Sequence, residues 1–366
     1  MKSFTALLSY ASLLALASHV SAVPTPVTQA LAVRQNTGIN SSANKNTVNP
    51  TTPVYPQKAA GDAPYSVDEN TLRSALYIPP TFQYGKTGKQ SVLMVPGTSL
   101  PGGIAYANAF GKLLAASSYA DPVWLNIPGY GLGDAQVNGE YVAYAMNYLS
   151  GVSGQKNISV VSWSQGGINT QWGLKYWPST RSIVTDFVAL APDFRGTTEA
   201  DLVCSGLTLA LCTPSIKQQR DKSNFISVFR SNGGDSAYVP TTTFYSATDE
   251  IVQPQIGTGA SSYLLDARNV GVSNNQVQEL CAGTIQVVLH EGVLYNAVAW
   301  ALLEDALTHD GPGDRSRLNL KSICLDLAAP TLNGIQGESI LLTAVPNIVA
   351  YKTHVFNEPA IAAYAK

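Results

Sequence analysis

Charge is scarce in this chain. Of 366 residues only 13% are Asp, Glu, Lys or Arg, and their formal balance is -2. A surface with no basic excess gives no electrostatic case for binding nucleic acid or an anionic membrane surface, and no nucleic-acid partner is expected. Histidine and cysteine are sparse, with four of each. There is no C-x-x-C pair and no His/Cys cluster, so a structural zinc site has no support and no metal or cofactor is expected. Long apolar runs are missing as well, and none can cross a bilayer. What remains is 45% hydrophobic, enough to bury a large core in one large α/β domain or two smaller ones.

The first residues have the layout of a secretory signal. Lys2 supplies the positive start, Ala6 to Ala17 an apolar stretch, and Ser18 to Ala22 the small residues of a cleavage site, with the cut expected after Ala22. An exported, soluble protein without a transmembrane segment follows, and a monomer is expected. Residues 23–64, rich in Pro, Thr, Asn, Ser and Ala, read as a disordered or processed leader, and 65–366 as a single domain. Asn40-Ser41-Ser42 and Asn157-Ile158-Ser159 match the glycan acceptor pattern. Oxidising surroundings let the cysteines pair, in any of three ways. Proximity favours Cys204–Cys212, which leaves Cys281–Cys324. A helix spanning the first pair would separate it by about 12 Å, beyond a disulfide's reach. That bond therefore rules out one straight helix.

From about Ser74 strand-like and helix-like patterns alternate. Candidate strands are Ser91–Val95, Val123–Ile127, Ile158–Trp163, Ile183–Leu190, Thr242–Tyr245 and Thr284–Leu289. Most are continuous apolar runs, which suits a parallel sheet covered on both faces. Candidate helices are Ala105–Ala116, Gly139–Ser150, Gln165–Trp177 and Ala297–Thr308. The alternation predicts an α/β fold with a doubly wound, mostly parallel sheet. Ligands of such sheets sit at the carboxyl ends of the strands.

One strand runs straight into a serine: Ile158-Ser159-Val160-Val161-Ser162-Trp163-Ser164-Gln165-Gly166-Gly167. A sharp strand-to-helix turn of this kind lifts the Ser164 hydroxyl off the sheet edge, although Ser162 replaces the first glycine of the G-x-S-x-G pattern. Serine needs a base. His19 leaves with the signal, His309 ends an amphipathic helix, and His354 lies in the tail, whereas His290 follows the run Thr284–Leu289. For the orienting acid, Asp193, Asp249 and Glu250 all lie between serine and histidine in chain order; the acid usually follows the second strand after the elbow, which favours Asp249. Oxyanion donors are the amide of Gln165 and the turn Pro96-Gly97-Thr98-Ser99, where Thr98 offers an amide and a hydroxyl.

These pieces match a family. Trp163-Ser164-Gln165-Gly166-Gly167, Gln171-Trp172-Gly173-Leu174, Ala191-Pro192-Asp193 and above all Tyr245-Ser246-Ala247-Thr248-Asp249-Glu250-Ile251-Val252-Gln253-Pro254-Gln255 make the chain resemble the fungal lipases of the Candida antarctica lipase B type, from about Ser74 to the end. The resemblance implies an α/β-hydrolase fold with a small helical cover, and a triad of Ser164, Asp249 and His290 with Thr98 and Gln165 as oxyanion donors. It implies a narrow pocket with Trp163 and Ile251 on its wall and Asp193 beside it, outside the triad. It supports the Cys281–Cys324 bridge. Four departures stand out. Val123 occupies the site of a family cysteine, and the family's C-terminal bridge has no counterpart here. Cys204 and Cys212 are extra, in the region of the cover. Leu100 replaces a family threonine, making the rim more apolar. The expected activity is hydrolysis of triacylglycerols or other carboxylic esters, with transient contact to a lipid interface. A short-chain or polyester esterase, or a non-catalytic hydrolase-fold binding module, are the alternatives.

Overall fold

The computed structural model describes residues 36–333 and 340–366. The expected signal at 1–22 and the first part of the expected leader lie outside the described residues. Seven strands form one sheet: β1 (Leu76–Tyr77), β2 (Gln90–Val95), β3 (Ala120–Leu125), β4 (Ile158–Trp163), β5 (Val184–Leu190), β6 (Thr241–Tyr245) and β7 (Val272–Gln276), in the order β1-β3-β2-β4-β5-β6-β7. All neighbours run parallel except β1 against β3. The principal helices are α1 (Ala135–Val152), α2 (Gln165–Tyr176), α3 (Thr198–Val203), α4 (Ala297–Thr308) and α5 (Ile340–Ala350).

The unbroken apolar runs have a direct cause. Successive side chains of a strand point to opposite faces, and here each face has its own core. Leu93, Val95, Val160 and Phe187 join the core under α1 and α2. Val92, Met94, Val161 and Val188 join the one under α4. Nearly every position of β2 to β6 is thus buried, and little polar alternation remains.

Two expected elements differ. Thr284–Leu289 is not a strand: Ile285 and Val287 are 89% and 66% exposed, while Gln286 turns inward and donates to the Cys324 carbonyl at 2.9 Å. The seventh strand is Val272–Gln276, whose sequence Val-Ser-Asn-Asn-Gln carries no apolar signal. The single helix expected over Ala105–Ala116 is two, Gly102–Tyr106 and Phe110–Ala116. The packed chain also starts before residue 65. Val54 is buried, Tyr148 donates to the Val48 carbonyl, and Trp124 donates to the Ile39 carbonyl, so residues 36–64 lie against the sheet and α1 as an irregular strap held by polar contacts.

Both disulfides form, Cys204–Cys212 with 4.8 Å and Cys281–Cys324 with 5.5 Å between Cα atoms. As the short spacing requires, the helix breaks between the first pair: α3 stops at Val203 and a 3-10 turn, Gly206–Leu211, follows. Cys204 and Cys212 sit with Leu132, Ala200 and Ile216 in a small separate core.

Candidate active site

Ser164 stands between β4 and α2 with φ 56° and ψ -131°, a strained conformation for a residue with a side chain. Tight neighbours enforce it. A Cβ on Gly97 would meet the Ser164 Cβ at 2.8 Å, and one on Gly166 would meet the Pro96 carbonyl at 2.8 Å. The sharp turn is thus possible only because glycine stands on both sides of it. Ser162, in place of the usual glycine, is accommodated fully buried. The first N–H groups of a helix have no partner within it, which leaves the Gln165 amide at the start of α2 directed outward.

His290 is held by its other nitrogen. Its Nδ1 lies 2.8 Å from Asp249 Oδ2, and both residues are buried. Asp249 Oδ1 accepts from the amides of Ile251 and Val252 at 2.9 and 2.8 Å, which fixes the carboxylate in the loop after β6. Glu250 takes a different part of the histidine, accepting from its backbone N–H at 3.1 Å. The Trp163 indole donates to the His290 carbonyl at 3.0 Å, and the two rings lie 5.1 Å apart. Burial works against a charged imidazole. The charge and hydrogen bond of Asp249, helped by Glu291 and Glu250, outweigh it and lift His290 to about 9.

Ser164 and His290 face one cavity of about 170 Å³ at the carboxyl ends of the strands. Thr98, Leu100, Trp163 and Ile251 share its wall with Ile340, Ala344 and Ile348 of α5. Asp193 does not line it. It lies fully buried behind the site, and burial raises its carboxyl to about 7. Thr98 is more constrained than its sequence suggests: its hydroxyl donates to Gln219 at 3.1 Å and accepts from the Gln165 side chain at 3.2 Å. Among the described residues no cluster of three or more His, Cys, Asp or Glu is placed to hold a metal ion, and no helix is long and apolar enough to cross a membrane. A polar cleft of about 670 Å³, bordered by Asn157, Asp186 and His309, opens at the opposite, amino ends of the strands.

No protein-family model matches the chain. It is 39% identical over 218 residues to lipase B of Pseudozyma antarctica; the aligned stretch covers 59% of this chain and 61% of that protein. The crystal structure of Aspergillus fumigatus lipase B superposes with a TM-score of 0.87 at 54% identity, over 91% of this chain and 80% of that one. The chain belongs to the lipase B family. Its sheet, helices and strand-to-helix serine are accordingly an α/β-hydrolase fold.

Within this family member, several residues at the site were not legible in the sequence. Gln219 and Glu291 both border the cavity. Glu291 follows His290 directly, a position that draws the eye only once the histidine is chosen. Nothing in the local pattern distinguishes Gln219, which reaches Thr98 across 121 residues of chain.

Proposed function

We propose that this lipase B family protein is a secreted serine hydrolase of carboxylic esters, triacylglycerols among them. The observation that carries the reading is the 2.8 Å contact of His290 Nδ1 with Asp249, on a histidine that shares its cavity with the strained Ser164. In this reading His290 Nε2 takes the Ser164 proton as the hydroxyl attacks the ester carbonyl, then passes it to the departing alcohol. Asp249 holds the tautomer and supports the imidazolium. The amides of Gln165 and Thr98 meet the charge that develops on the carbonyl oxygen. Water then cleaves the acyl-serine by the same route.

The apolar wall of Leu100, Ile251, Ile340 and Ile348 suits an acyl chain. Two disulfides, together with the expected signal at 1–22, support export. The test is turnover of tributyrin and p-nitrophenyl esters by Ser164→Ala. The substitution is expected to abolish nearly all hydrolysis with little change in melting temperature. A variant that retains most of its rate overturns the assignment of Ser164 as nucleophile, and a wild type that cleaves none of these esters makes the non-catalytic binding module the better account.

A further inference from the structure

Beside the triad lies a carboxyl that the mechanism does not use. Glu291 is only 1% exposed, lines the substrate cavity, and neither of its oxygens has a hydrogen-bond partner among the described residues. Leaving a buried polar group unpaired is unfavourable, and such a group in a native fold points to something that pairs with it. Its place tells which part of a substrate it meets. His290 returns a proton to the leaving alcohol, so the alcohol half of the ester must sit against His290, and Glu291 is its chain neighbour.

We propose that Glu291 is a specificity-determining residue for the alcohol half of the ester, pairing with a free hydroxyl of a polyol ester such as a partial acylglycerol. The proposal rests on the ester-hydrolase reading and narrows its substrate class. A hydroxyl accepts from the neutral carboxyl and donates to the ionised carboxylate, so it suits Glu291 in either state. Burial, followed by the nearby charge of Glu250, raises Glu291 to about 8. An anionic substrate group would face Glu250 and Glu199, which line the same cavity, and is disfavoured. A cationic group would pair only with the ionised carboxylate, and the test therefore includes a cationic ester.

The test compares 1-monobutyrin with propyl butyrate, which has the same skeleton without the two hydroxyls, and with butyrylcholine as a cationic ester. Both neutral esters are soluble, so no interface enters, and a ratio of kcat/KM values for one enzyme cancels any effect on His290 ionisation. The wild type is expected to favour monobutyrin. Glu291→Leu and Glu291→Ala should lower the monobutyrin to propyl butyrate ratio about tenfold, while Glu291→Gln keeps it within about threefold, the size of effect expected for one hydrogen bond. An unchanged ratio in folded truncation variants overturns the proposal and leaves the hydrolase reading standing. So does a preference for butyrylcholine that Glu291→Gln removes. If the wild type cleaves none of the three esters, the hydrolase reading itself fails and takes the proposal with it.

Discussion

Asn347 donates its side-chain amide to the Ser99 carbonyl at 2.7 Å, joining residues 248 positions apart. Ser99 has φ 73° and returns a hydroxyl hydrogen bond to the Ala344 carbonyl at 2.5 Å. Helix α5 is therefore clamped to the turn that presents Thr98, and it forms the far wall of the cavity as well. Asn347→Leu strands a buried carbonyl, which should cost about 1–3 kcal/mol in urea unfolding. A slackened oxyanion turn should lower kcat more than it raises KM. Equal kinetics in a destabilised variant would show that the clamp serves stability alone.

His290 must be unprotonated to act as a base. With its value lifted to about 9, kcat/KM is expected to rise with pH through the range near 9. Glu291, raised to about 8, is ionised there and helps to hold the proton on the ring. Glu291→Gln should therefore move the rising limb to lower pH. A pH profile with the limb unmoved would show that the Glu291 charge is not felt by the imidazole.

Asp193 gives a separate stability prediction. Its folded value, about 7, lies above the ordinary 3.8, so the folded state binds the proton more tightly than the unfolded chain. Its contribution is complete below about pH 4 and is lost as pH rises through 7. Asp193→Asn, which stays neutral, should gain in melting temperature relative to the parent between pH 5 and pH 8. A constant difference across that range would contradict the assignment.

The Cys204–Cys212 bridge staples the end of α3 beside Ala200 and Val203, which line the cavity. Removing it with Cys204→Ala and Cys212→Ala together should loosen this wall and shift the relative rates toward longer acyl esters. Chain-length profiles from butyrate to palmitate measure the shift. An unchanged profile would confine the bridge to a stabilising role.

The legible parts of the molecule were those where chemistry forces the residue type. The run Ile158–Trp163 and the glycines after Ser164 expose the elbow, because only small groups fit where β4, the Pro96 turn and α2 converge. The loop from Tyr245 to Gln255 carries Asp249 into place through backbone amides that any sequence would supply. Strand β7 escaped notice because an edge strand with one neighbour can be made from Ser, Asn and Gln, held by side-chain bonds such as Thr243 to Asn274. The run before His290 misled for the opposite reason. Its valines and isoleucine look like a core strand, yet the segment is fixed by the Cys281–Cys324 bridge and by Thr248, whose hydroxyl bonds both the amide and the carbonyl of Val288. His290 lies beside Asp249 all the same, since that contact does not depend on a ladder.

Covalent labelling examines the triad most directly. Purified protein treated with diethyl p-nitrophenyl phosphate should gain one diethylphosphoryl group, located on Ser164 by peptide mass mapping, with hydrolysis lost in the same proportion. His290→Ala should slow the labelling by orders of magnitude, because the hydroxyl then has no base. A protein that stays unlabelled while it hydrolyses esters, or one labelled at another residue with full loss of activity, would contradict the account.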